Sequence, residues 1–123
     1  MSTATKPKNR VTSPSPPRVE QQPLISPEQA AALMRLFKVF ANDTRLRLLH
    51  ALVRDGELCV TDLAVAVDMK PQAVSNQLQR LVDRGILKAR RNGTNIYYSF
   101  ADPCVPVLLE RGLCLIECWP EEP

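Results

Sequence analysis

From the amino end, large apolar residues first recur at a helical interval at Leu33, Leu36, Phe37 and Phe40, steps of three and four that gather them on one side of an α-helix. Ser26, Pro27 and Glu28 supply its start, with Ser as N-cap and Pro in the first helical position, where a missing N–H is no loss. The pattern predicts a first helix to about Phe40. A second stripe, Leu46, Leu49, Leu52 and Val53, follows Asn42 and Asp43, either of which can cap, and ends before Gly56. A short third helix is expected from about Val60 to Val67, with Thr61 as N-cap and Leu63, Ala64 and Val67 on one face. After a brief turn at Asp68, Met69 and Lys70, Pro71 opens a fourth helix with the stripe Val74, Leu78, Leu81 and Val82 and the stop signal Gly85.

The period then changes to that of a strand. Ile86 to Arg91 and Thr94 to Phe100 are β-prone runs separated by Asn92 and Gly93, and Asn-Gly between such runs is a strong hairpin signal. Tyr97 and Tyr98 are adjacent, so at most one packs inward. Asp102 and Pro103 begin a last helix. Two short helices joined by a tight turn and followed at once by a β-hairpin spell a winged helix-turn-helix, a mainly α fold with a β-hairpin wing (α+β).

Residues 1–26 have a different texture. Pro7, Pro14, Pro16, Pro17 and Pro23 stand among Ser, Thr, Lys and Gln with few large apolar side chains, a composition that cannot bury enough surface to offset ordering entropy. This segment is expected to be a disordered arm, made basic by Lys6, Lys8, Arg10 and Arg18. The expected organisation is thus the arm, one DNA-binding and dimerisation domain over 27–118, and a tail over 119–123. A chain of 123 residues, 45% hydrophobic and 24% charged, suits a single domain. No apolar run approaches the roughly 18 to 20 residues that span a bilayer, and the amino end lacks the apolar core of a secretory signal. A cytoplasmic location without membrane attachment is expected.

A formal net charge of +3 permits a polyanionic partner but does not identify it; placement says more. Gln72, Ser75, Asn76, Gln79 and Arg80 all project from the face of the fourth helix opposite its apolar stripe. Gln and Asn can bond an adenine edge in bidentate fashion, Ser a base or phosphate, and Arg guanine or phosphate. A solvated helix face would more often carry Glu and Lys pairs four apart. Lys88, Arg90 and Arg91 lie in the first strand of the hairpin, with Asn92, Thr94 and Asn95 at its tip. Cations there would neutralise phosphates and add affinity without sequence information. The expected partner is double-stranded operator DNA, read by Gln72, Ser75, Asn76, Gln79, Arg80, Arg90, Arg91, Asn92 and Thr94.

The runs FANDTRLRLLHAL, ELCVTDLA, QAVSNQLQRLVDRGIL and RRNGTNIYYSF, in this order and spacing, resemble the ArsR/SmtB family of bacterial repressors over about Pro27 to Cys118. The resemblance implies a homodimeric winged helix whose terminal helices pair across a two-fold axis, released from operator DNA when an inducer binds. Many members of the family sense metal ions.

The four cysteines bear on that last point. The family's metal box commonly reads ELCVCDL; here it is ELCVTDL, with Thr61 in place of the second cysteine, and the arm has neither Cys nor His. Cys59 is therefore expected to be a small buried apolar residue. Cys114 and Cys118 are four apart, so their sulfurs share one helix face about 6 Å apart along the axis. Cys104 stands 14 positions before Cys118, roughly 21 Å away along a helix. One helix cannot unite the three, but two antiparallel copies could, with Gly112 near the midpoint allowing close approach. Some zinc-sensing relatives carry an intersubunit site on this helix. Asp102 matches its early Asp, Cys104 and Cys118 replace an early His and a late Glu, and Leu115 stands at the late His position beside Cys114.

A metal site of Cys104, Cys114 and Cys118 is expected, taking as inducer a thiophilic ion such as Cd(II), Pb(II), Hg(II) or As(III), or Zn(II) with Asp102 or water completing four ligands. Thiol oxidation or persulfidation of the same residues is the alternative switch, and packing among Leu108, Leu109, Leu113, Leu115 and Ile116 the purely structural one. A winged helix that docks protein rather than DNA is a further alternative. His50, the only histidine, fits the second helix as a structural residue. No nucleophile–base constellation or Gly-rich phosphate loop is visible, so the chain is not expected to be an enzyme.

Overall fold

The computed structural model describes residues 18–118; most of the expected arm, residues 1–17, and the tail, 119–123, lie outside the described residues. The chain divides into two compact units between Val39 and Phe40. In the first, a 3-10 turn at Val19–Gln21 carries an exposed Arg18–Glu20 ion pair at 2.6 Å, and α1 follows over Pro27–Phe40. Ser26 caps it as expected: its Oγ accepts from the Gln29 N–H at 3.1 Å while Gln29 Oε1 accepts from the Ser26 N–H at 2.9 Å. This reciprocal capping box satisfies two otherwise orphaned donors.

The second unit contains α2 (Asp43–Asp55), β1 (Leu58–Cys59), α3 (Val60–Val67), α4 (Pro71–Asp83), β2 (Leu87–Asn92), β3 (Asn95–Phe100) and α5 (Cys104–Cys118). This is the winged helix-turn-helix, with β1 added to the hairpin to make an antiparallel sheet of order β1-β3-β2. Asn42 is the cap of α2, its Oδ1 accepting from the Arg45 N–H at 3.0 Å. The turn between α3 and α4 is closed by bonds from Asp68 N to Val65 O and from Met69 N to Ala64 O. That pair of bonds is a Schellman motif, and it holds Asp68 in the left-handed conformation at φ 56°. The same motif ends α4, where Gly85 takes φ 79° and Ile86 N bonds Leu81 O at 3.0 Å.

The core joins Leu48, Leu49 and Leu52 of α2, Leu63, Ala64 and Val67 of α3, Val74, Leu78 and Leu81 of α4, and Ile86, Leu87 and Tyr98 of the wing. Burial of such side chains, at about 1.5–3 kcal/mol each, fixes α4 against α2, α3 and the wing. Tyr98 is the tyrosine that packs inward, and desolvation raises its phenol pKa.

Four local readings need correction. Thr61 does not cap α3, because β1 runs directly into it and extended Cys59 occupies the cap position. The wing's two turn residues are Gly93 and Thr94 rather than Asn92 and Gly93, since Asn92 pairs with Asn95; glycine first with φ 70° is the type II′ arrangement. The buried stripe of α2 contains Leu48 in place of Leu46 and Val53, because Val53 turns toward α5. Cys59 is half-buried, not buried, and its thiol lies 3.4 Å from Asp62 Oδ2. His50 is exposed and lines a groove between α2 and α5.

Candidate functional site

Helix α4 buries Val74, Leu78 and Leu81 and turns Gln72, Asn76, Gln79 and Arg80 to solvent, with Ser75 half-buried at the edge of that face. The amphipathic spacing alone produces this division. Two of the polar residues are held along the helix: Gln72 Nε2 donates to Asn76 Oδ1 at 3.2 Å, and Gln79 Nε2 donates to Asp83 Oδ1 at 2.9 Å. Such bonds limit rotamer freedom and leave further donors and acceptors of each amide facing outward. Helix α4 is also tied to α2, because Arg45 Nε donates to Gln77 Oε1 at 2.8 Å; Arg47 Nη1 reaches the Val67 carbonyl at the end of α3 at 3.3 Å.

In the wing, Arg91, Asn92 and Thr94 are exposed at and near the β2–β3 turn, with Arg91 opposite Ile96 and Asn92 opposite Asn95. Arg90 is placed differently. Its Nε and Nη2 donate to the two carboxylate oxygens of Glu57 at 3.0 and 2.9 Å, and its guanidinium lies 5.2 Å from the centre of the Tyr97 ring. The guanidinium holds the Glu57 carboxyl below its ordinary pKa, and the carboxylate in turn raises that of Arg90. Glu57 went unnoticed in the sequence because its partner is 33 positions away; without β1, nothing brings the two together.

Helix α5 begins at Cys104, whose N–H is capped by Asp102 Oδ1 at 2.8 Å. It packs on α2, with Val105, Pro106 and Leu109 half-buried, yet buries no residue fully. Val107, Leu108, Leu113, Leu115 and Ile116 remain 37–62% exposed. At about 100° per residue, Cys104 and Cys118 project from the half of the helix turned away from those half-buried positions, while Cys114 borders the groove against α2. The Cys114 and Cys118 sulfurs are 4.0 Å apart and exposed. Tetrahedral zinc–thiolate bonds of about 2.3 Å would set two sulfurs about 3.8 Å apart, so this pair has the bite of one thiophilic ion. Cys104 lies at the other end of α5. Among the described residues, no three His, Cys, Asp or Glu side chains come together to hold a metal ion within one chain. His50, Val53, Leu113 and Cys114 share the α2–α5 groove with Glu110 and Glu117.

Comparison with known proteins extends this picture. Residues 42–89 match the family model described as bacterial regulatory protein, arsR family. A transcriptional repressor SmtB homolog of Synechocystis sp. is 45% identical over 85 residues, 69% of this chain and 64% of that protein, so the chain spans less than two thirds of that relative's length. Among solved structures, the AntR antimony-specific transcriptional repressor is 65% identical, with 83% of this chain and 92% of that one covered and a TM-score of 0.74. A homodimeric winged helix-turn-helix DNA-binding domain from Mycobacterium bovis is 33% identical, with 78% and 91% covered and a TM-score of 0.66. Among the described residues no helix is long and apolar enough to cross a membrane.

Proposed function

This chain belongs to the arsR family of bacterial regulatory proteins, and on that footing we propose that it is a homodimeric repressor whose grip on double-stranded operator DNA is released by a thiophilic metalloid or metal ion. Gln72, Ser75, Asn76, Gln79 and Arg80 read base edges and phosphates from α4 in the major groove, and Arg91, Asn92 and Thr94 steady the wing on the backbone. The exposed apolar side chains of α5 pair with a second copy, because the helix buries no residue fully against its own chain and leaves five large apolar side chains open. Open space around Gly112 leaves room for that approach.

The observation that carries the inducer reading is the 4.0 Å separation of the exposed Cys114 and Cys118 sulfurs on α5. An antiparallel partner helix adds a third thiol, Cys104 of the partner subunit, and symmetry makes two such sites. Each thiol gives up its proton as it bonds the ion. Three soft ligands suit a trivalent pnictogen, and the similarity to a repressor described as antimony-specific favours Sb(III), with As(III) next, over the divalent ions. The oxidative and protein-docking alternatives gain no comparable support.

The test is fluorescence anisotropy on promoter fragments. The reduced protein binds one fragment specifically; Sb(III) or As(III) dissociates it, and the Cys114→Ser/Cys118→Ser variant binds equally well but no longer responds. A double variant that responds normally would place the sensor elsewhere.

A further inference from the structure

The wing is a two-stranded ribbon attached to the body through a very short strand. β1 contributes only two register pairs, Leu58 with Tyr98 and Cys59 with Tyr97. Tyr97 is also opposite Arg90, so Cys59, Tyr97 and Arg90 lie in one row across all three strands. Glu57 immediately precedes β1, and its carboxylate meets the Arg90 guanidinium that lies over the Tyr97 ring. Arg90 thus reaches from the outer strand, over the Tyr97 ring, to a carboxylate at the far edge of the sheet. The two-point bond has the fork geometry in which arginine recognises a carboxylate with directional precision.

We propose that Glu57 is a positioning residue for DNA binding: it clamps Arg90 across the sheet and so sets the angle of the wing, and Arg90 is the clamped arm rather than a phosphate ligand. Three considerations carry this. Arg90's positive charge is already matched by the carboxylate, so little is left to replace a counterion on DNA. A phosphate brought to Arg90 would sit beside Glu57, placing two anions together. The neighbouring cation Arg91 has the opposite side-chain direction and lies nearer the tip, where its charge can meet the backbone.

This inference rests on the DNA-binding reading, and its experiment separates the two. Operator affinity is measured against salt for the wild type and for Glu57→Gln, Arg90→Gln, Arg91→Gln and the exchange Glu57→Arg/Arg90→Glu. A phosphate ligand contributes about 0.9 to the slope of log affinity against log salt. Arg91→Gln should flatten the slope by about that amount. Glu57→Gln and Arg90→Gln should each weaken binding about three- to tenfold with the slope unchanged, a loss of the size expected for a well-formed exposed ion pair. The exchange variant should recover most of that loss. A flattened slope for Arg90→Gln, tighter binding by Glu57→Gln, or wild-type affinity in both would overturn the assignment. If the wild type binds no operator, the DNA reading fails by itself, and the clamp is judged in the free protein. There, Glu57→Gln should speed amide exchange across β2 and β3, and unchanged exchange would refute it.

Discussion

The Arg45 guanidinium donates to the Gln77 side-chain oxygen at 2.8 Å, joining the first turn of α2 to the middle of α4. Since α2 also packs on α5, this bond links an element in contact with the thiol-bearing helix to α4. Arg45→Met keeps the apolar stem and removes the donor, leaving a half-buried amide oxygen without it. The variant should lose about 1 kcal/mol of unfolding free energy and bind operator severalfold more weakly, as checked by denaturant unfolding and anisotropy.

The helices were legible in the sequence because each is amphipathic and bounded by local signals: Asn42 before α2, Pro71 at the start of α4 and Gly85 after it. The misplaced details depend on distant partners. A two-residue strand such as Leu58–Cys59 has no periodicity of its own and exists because β3 offers it a ladder; its presence then displaced the cap of α3 from Thr61 to Cys59. Likewise Leu48 is buried where Leu46 is only half-buried, a choice made by the elements that pack on α2 and not by its periodicity. The thiol pair was readable from a spacing of four, whereas the Glu57–Arg90 pair, which takes Arg90 out of the row of free wing cations, needed the folded sheet.

Asn76 is exposed at the centre of the polar face of α4, with its amide oriented by Gln72. Asn76→Ala should lower affinity for the specific site by about 1–3 kcal/mol while barely changing affinity for scrambled DNA, because base contacts specify and phosphate contacts do not. Parallel titrations of the two duplexes measure the difference. Equal losses on both would show that Asn76 touches backbone only.

Glu57 has its pKa lowered below the ordinary glutamate value of 4.5, first by the hydrogen bonds from Arg90. A depressed folded-state pKa makes a contribution that is complete above the unfolded value and lost as pH falls through the folded one. The clamp should therefore be intact at neutral pH and open only in the acid range below 4.5. Carboxyl-carbon NMR titration should show Glu57 titrating below the ordinary glutamate value, and Arg90→Gln should return it toward that value.

The proposed inducer site is shared between two chains, and mixed dimers distinguish it from a site within one chain. One subunit carries Cys104→Ser, its mate Cys114→Ser and Cys118→Ser, so a site spanning the interface survives once per dimer and is abolished at the other position. Titration of the purified mixed dimer with Sb(III), followed by thiolate-to-metalloid absorbance, should give one tightly bound ion per dimer, against two for the wild type. A mixed dimer that binds none tightly, or a Cys104→Ser homodimer that binds two with wild-type affinity, would contradict the account.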